Sequence, residues 1–364
     1  MAKVRVLVVD DSAVIRRILV SVLSADPDVE VVGQAGDGRA ALAKVAELKP
    51  DVMTLDLEMP VLDGLGTLTE LRKIDRRLPV IVFSTLSQRG AMATLDALAK
   101  GANDYVTKPS NDGDTTRTME RIKSELVQKV KVLAGRERPV PLVLSKTTAG
   151  TPNPIVRAHT PPARIDVLAI GVSTGGPNAL AVLLPALAAD FPVPVVLVQH
   201  MPPTFTQYLA QHLNQKCKLR VSEGIDGQPL EAGHIYIAPG DHHMLVERIG
   251  QSIKLKLNQG APENFCRPAV DVLFRSVAEV YGPNALGVVL TGMGQDGLVG
   301  CRALAQKGAR CLTQDEATSV VWGMPGFVTR AGLADKTLPI GALAAEISAR
   351  AQLGRSAAPA KRPA

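Results

Sequence analysis

Apolar runs of five to seven residues recur through the first third of the chain, and each is followed by a segment with helical spacing. VRVLVV (4–9), VEVVGQA (29–35), DVMTLD (51–56), PVIVFS (79–84) and DYVTK (104–108) predict strands separated by crossover helices. This alternation predicts a five-stranded parallel α/β sheet of flavodoxin-like type over residues 1–125. The periodicity then dissolves into GRERPVPLVLSKTTAGTPNPIVRAHTPPAR (135–164). Its prolines deny the segment ladder donors and helix continuity, so 126–164 reads as a helix end and an interdomain linker.

Strand and helix patterns resume at 165. IDVLAIG, a helix over 176–189, PVVLVQ and a helix over 204–215 come first. KLRVSE, HIYIAPG, HHMLVERIG and SIKLKLN follow with little helix between them and predict an antiparallel excursion. RPAVDVLFRSVAEVY then reads as helix, ALGVVLTG as a buried strand, DGLVGCRALAQKG as helix and ARCLTQ as strand. Residues 165–350 are therefore expected to form a second, doubly wound and mostly parallel α/β sheet. The Ala/Pro/Lys/Arg tail 351–364 reads as disordered.

A chain of 364 residues suits two such domains. Aromatics are only 3% of it, so the cores rest on aliphatic packing and stacking on nucleic acid is poorly supplied. The net charge of +6 lies in the wrong place for a folded nucleic-acid surface. Linker residues 136–164 hold five basic residues against one acid, and the tail adds three more, leaving the rest of the chain near neutral. Cys217, Cys266, Cys301 and Cys311 show no metal-like or C-x-x-C spacing, so buried reduced thiols are expected. MAKVRVLVVDDS enters a strand without a cleavage region, and no apolar run reaches the ~20 residues of a membrane span. A cytoplasmic protein without membrane insertion is expected.

Two constellations carry chemistry. Asp10 and Asp11 end the first predicted strand and Asp56 the third, while Ser84 closes the fourth and Lys108 follows the fifth. Carboxylates gathered at adjacent strand ends repel unless a cation joins them, and hard oxygen ligands suit Mg2+. Alone, Asp11 or Ser12 would read as a helix cap and Lys108 as a solvated charge; the joint occurrence favours a site. VLVVDDS, TLDLEMPVLDG, FST and YVTKP resemble a response-regulator receiver domain. That resemblance implies that Asp56 accepts phosphate from a histidine kinase. It also implies that Asp10, Asp11 and Asp56, with the backbone carbonyl of Glu58, hold Mg2+, and that Ser84, Tyr105 and Lys108 form the switch.

In the second half Ser173, His200 and Asp296 each follow a strand-like run, where loops of an open α/β sheet converge. Imidazole can take the proton that makes serine a nucleophile, and a carboxylate can orient the ring. Each has a bland reading: Ser173 as cap of the helix after GVSTGGP, and Asp296 as cap of the helix after TGMGQDG. The order Ser, His, Asp and the lack of G-x-S-x-G disfavour a standard α/β-hydrolase. GVSTGGP, QHMPPTFT, YIAPGDHH, RPAVDVLF and TGMGQDG, in this order, resemble the catalytic domain of chemotaxis protein-glutamate methylesterases. The resemblance implies a carboxylic ester hydrolase acting on γ-glutamyl methyl esters of chemoreceptors, with glutaminase activity besides. It assigns Ser173 as nucleophile, His200 as base and Asp296 as its partner, with Thr174 and Met293 near the oxyanion, and it needs no cofactor for hydrolysis. The alternative is a receiver-regulated receptor-binding protein without turnover; a DNA-binding regulator lacks a recognition-helix module.

Overall fold

A computed structural model describes residues 2–108, 115–135 and 164–355. Nearly all of the Pro-rich linker and the basic tail from 356 lie outside the described residues. The first half alternates β1 (Val4–Val9), α1 (Ala13–Ser24), β2 (Val29–Ala35), α2 (Gly38–Leu48), β3 (Val52–Asp56), α3 (Gly64–Ile74), β4 (Val80–Ser84), α4 (Gln88–Ala99), β5 (Asp104–Thr107) and α5 (Thr115–Leu133). The strands pair in parallel in the order β2-β1-β3-β4-β5. β3, β4 and β5 are buried along their whole length, as expected of strands covered by helices on both faces. Four helices start on side chains that accept a backbone N–H: Ser12, Asp37, Asp63 and Ser87. Ser12 thus caps α1, and Asp11 stays exposed at the strand end.

The second half runs β6 (Val167–Val172), α6 (Gly176–Leu183), β7 (Val195–Gln199), α7 (Pro203–Asn214), β8 (Arg220–Glu223), β9 (His234–Ile237), β10 (His243–Ile249), β11 (Ser252–Asn258), α8 (Val270–Tyr281), β12 (Ala285–Val289), α9 (Leu298–Gln306), β13 (Arg310–Gln314), α10 (Met324–Arg330), β14 (Lys336–Leu338) and α11 (Ile340–Gln352). Its seven-stranded sheet has the order β14-β13-β12-β6-β7-β9-β8, and every pair in it is parallel. The antiparallel excursion is therefore smaller than the sequence pattern predicts. Among the described strands only β10 and β11 pair antiparallel, as a separate hairpin, whereas KLRVSE and HIYIAPG supply the last two strands of the parallel sheet, with β8 at its edge. The connection from β8 to β9 crosses without a helix because its polar backbone is satisfied on β11. Gly227 N donates to Leu255 O (2.9 Å), Leu230 N to Ile253 O (3.0 Å) and Leu255 N to Gln228 O (2.8 Å). The helix expected over 176–189 stops at Leu183 and gives way to a 3-10 turn around Pro185, which has no N–H to donate.

Three features position the site. β6 lies between β7 and β12, so the chain leaves it in opposite directions, and the carboxyl ends of β12, β6 and β7 lie side by side at the switch point of the sheet. Helix α4 of the first sheet packs against α6 and α7, which begin just beyond the ends of β6 and β7. Tyr105 stacks on Phe205 at 4.8 Å between centroids and 8° between planes, and Asn178 Nδ2 donates to Ala102 O at 3.2 Å. Finally, the end of α11 returns to the start of the second half: Arg355 donates to Ile165 O (2.6 Å) and Asp166 Oδ1 (2.9 Å).

Candidate active site

Ser173 follows β6 directly, on a turn held from three sides. Its N–H donates to Thr291 O (3.0 Å), and its carbonyl accepts from Gly176 N (2.8 Å) and from the buried Gln199 Nε2 (3.0 Å). Thr291, after β12, donates its hydroxyl to Thr174 O at 2.9 Å, tying the two loops together. Gly292 allows this approach, since a Cβ there would lie 2.9 Å from the Ser173 Cβ and 2.4 Å from the Met324 sulfur. Gly175, at φ +75, caps α6 without any side-chain bond, so Ser173 does not serve as that helix's cap. Among the described residues Ser173 Oγ makes no hydrogen bond, and the N–H groups of Thr174 and Met293 donate to no acceptor.

His200 sits at the end of β7 and Asp296 in the loop after β12. His200 Nε2 and Asp296 Oδ2 are 2.9 Å apart. Asp296 does not cap α9; that position belongs to Gly297. Its carboxylate instead receives the first N–H groups of α8, Val270 N at 2.6 Å and Asp271 N at 2.9 Å, with Gly297 N at 3.0 Å and Asn264 Nδ2 at 3.0 Å. Burial opposes its charge, but the bond to His200 and these backbone donors hold its pKa below the usual carboxylate range. His200 is buried, which disfavours the imidazolium, yet the Cys266 sulfur and the Asp296 carboxylate raise its pKa to about 10. Cys266 Sγ lies 3.5 Å from Nδ1, the ring nitrogen that Asp296 leaves free.

Sequence reasoning missed Asn264, Cys266 and Asp271. Asn264 Nδ2 donates to both Asp271 Oδ2 and Asp296 Oδ1, each at 3.0 Å, and so bridges two buried carboxylates. Asp271 Oδ1 accepts from Gly297 N (2.9 Å) and Gly300 N (2.7 Å), fixing the start of α9. Burial, with the Asp296 charge adding to it, pushes the Asp271 pKa up to about 6. The only sequence signal for this shell was the Asp of RPAVD, which reads equally well as the first turn of a helix. The thiols also depart from expectation: Cys301 and Cys311 are buried, whereas Cys217 and Cys266 are only partly so.

The acidic constellation assembles in the first half. Lys108 Nζ is 3.0 Å from Asp10 Oδ2 and 2.7 Å from Asp56 Oδ2. Burial raises the Asp56 pKa, opposed by the Lys108 bond and reinforced by the Asp10 charge. Burial also opposes the Lys108 charge, but Asp56 and Asp10 together raise its pKa. Carboxylate oxygens of Asp10, Asp11 and Asp56 lie within 4.8 Å of one another. Asp10 Oδ2 is buried without a hydrogen-bond partner among the described residues, although it is within ion-pair range of Lys108. An all-oxygen set with an unmatched buried acceptor fits a hard divalent cation. Glu58 turns its carboxylate to Arg89 (3.4 Å), so no second acid of that loop joins the cluster. Ser84 is buried and donates to Gly90 O at 3.1 Å, and Tyr105 lies between the sheet and Phe205.

Comparison with known proteins agrees with both halves. Residues 168–347 match the family described as CheB methylesterase, and 6–120 match the response regulator receiver domain. A protein-glutamate methylesterase/protein-glutamine glutaminase of Trichodesmium erythraeum is 48% identical over 96% of this chain and 99% of its own. One of Nocardioides sp. is 49% identical over 96% of each chain. The solved CheB methylesterase catalytic domain of Thermotoga maritima is 38% identical, covers 51% of this chain and 99% of its own, and superposes with a TM-score of 0.50. Relatives at this identity, matched along almost their full length, establish that the chain belongs to the CheB methylesterase family, with a receiver domain at its N-terminus.

Proposed function

We propose that the chain is a phosphorylation-activated serine esterase of the cytoplasm that hydrolyses γ-glutamyl methyl esters on chemoreceptors, and that it deamidates receptor glutamines at the same site. One observation carries the reading: His200 and Asp296, after β7 and β12, pair at 2.9 Å, and β6, the strand that leads into Ser173, lies between those two strands at the switch point of the sheet. Asp296 occupies Nε2, so Nδ1 takes the Ser173 proton as Oγ attacks the ester carbonyl. The N–H groups of Thr174 and Met293 receive the oxyanion. The tetrahedral intermediate collapses with loss of methanol, which leaves with the proton from Nδ1. Water, activated by the same nitrogen, then frees the glutamate and restores Ser173. With a glutamine, ammonia leaves in place of methanol.

For this path Nδ1 must be unprotonated, so kcat/KM rises with pH through the His200 pKa. The Cys266 sulfur helps to place that pKa at about 10, well above the ordinary value of 6.5. Cys266→Ala is therefore expected to shift the acidic limb of the kcat/KM profile to lower pH. Methanol release measured between about pH 6 and 10 tests this, and an unmoved limb would count against Nδ1 as the base.

Asp56 is the proposed phosphate acceptor, supplied by a histidine kinase. Asp10, Asp11 and Asp56 would hold Mg2+, which would offset charge on the phosphoryl group and its acceptor. Lys108 and Ser84 then face the phosphoryl oxygens, and Tyr105 reports the change to Phe205. Because α4 rests on α6 and α7, the unphosphorylated receiver restrains the helices that leave the Ser173 and His200 turns. A shift of this interface by a few kcal/mol suffices to change the population of open enzyme. A small-molecule phosphodonor with Mg2+ is expected to raise methanol release from methylated receptor membranes roughly tenfold for the native chain. Asp56→Asn should show no rise; equal stimulation of both would remove Asp56 from the switch.

A further inference from the structure

The segment Glu263–Cys266 is a tight turn closed by paired backbone bonds, Glu263 N to Cys266 O (3.1 Å) and Cys266 N to Glu263 O (2.8 Å). Both central residues have positive φ, Asn264 at 51° and Phe265 at 62°. Asparagine is a normal occupant of such a position, but phenylalanine is an outlier where glycine is usual. Phe265 is also fully exposed, at 103% of its reference surface. The chain has six phenylalanines; four are buried in the cores and Phe327 lies beneath the Arg330 guanidinium. Among the six, Phe265 alone stands in solvent, in a strained backbone, at full exposure among the described residues.

Its neighbours show where it stands. Asn264 holds Asp296, and Cys266 touches His200, so the ring projects from the one residue between two contacts to the catalytic pair. Ion pairs hold the turn on both flanks. Glu263 is bound by both terminal nitrogens of Arg275 (2.9 and 2.6 Å), and Arg267 is bound to Asp241 (3.0 Å). Strain kept in place by its surroundings beside a site marks a functional constraint, and a rigid exposed ring loses little entropy on binding.

We propose that Phe265 is a substrate-docking residue, an aromatic anchor that packs on apolar side chains of the protein substrate beside the modified glutamate. The proposal rests on the methylesterase reading and adds to it a determinant that selects protein over small esters. The test uses the full chain, with methylated receptor membranes and a short glutamyl γ-methyl ester peptide as substrates. Phe265→Asn is expected to raise KM on receptors roughly tenfold with kcat nearly unchanged. It should leave hydrolysis of the short ester at the native rate, and it should not lower the thermal midpoint, because asparagine accepts this φ. Phe265→Tyr should retain the native KM. A native KM for Phe265→Asn on receptors, or an equal loss on both substrates, would overturn the proposal alone. No methanol release by the native chain would overturn the esterase reading and the proposal with it.

Discussion

Ser173→Ala is expected to lower methanol release by about four to six orders of magnitude, since residues that act as one nucleophilic unit fail together. The same substitution should leave the thermal midpoint within about 2 °C of the native value. The reason is structural: the Ser173 turn is held by its backbone, through Thr291 O, Gly176 N and Gln199 Nε2, while Oγ bonds to nothing among the described residues. A side chain that contributes nothing to stability and everything to turnover is the signature of a nucleophile. Appreciable methanol release by Ser173→Ala, in a preparation free of native enzyme, would refute the assignment.

Asp296→Asn should behave differently, with large losses on both axes. A fall in rate of about 10⁴ follows from removing the anion that orients the ring and stabilises its protonated form. A stability loss of about 2–4 kcal/mol is also expected, because the carboxylate accepts from Val270 N, Asp271 N, Gly297 N, Asn264 and His200. An amide has one acceptor oxygen, and its NH2 would confront donors. Chemical denaturation together with methanol release measures both quantities. A variant that lost rate but kept native stability would mean that the α8 N-terminus does not depend on this carboxylate, contrary to the geometry.

Much of the architecture was legible because parallel strands buried on both faces read as unbroken apolar runs. PVIVFS and ALGVVLTG announce themselves in this way, VRVLVV does so but for the exposed Arg5, and the residues that end such runs collect at one edge of a sheet. For that reason Asp10, Asp56, Ser173 and His200 stand out in the sequence as residues at or just beyond the ends of such runs. The parallel pairing of β8 with β9 was not legible, since its crossover lacks a helix and takes its hydrogen bonds from a hairpin distant in sequence. Nor were Asn264 and Cys266, which lie in an irregular loop without periodicity and act through side chains that only folding brings beside His200 and Asp296. Local spacing makes Asp296 a possible cap of the helix that follows it. The structure gives it to α8 instead, a helix that precedes it in the chain, and local spacing cannot encode that choice.

The bonds from Arg355 to Ile165 and Asp166 bring the two ends of the second half to one corner of the molecule. That corner lies at the amino-terminal edge of the strands, across the sheet from the Ser173 turn. A reporter fused directly after Arg355 would therefore leave from the edge of the sheet opposite the Ser173 turn. The same closeness makes this half suited to circular permutation, with its old ends joined by a short spacer and new ones opened in the exposed Gly250 turn between β10 and β11.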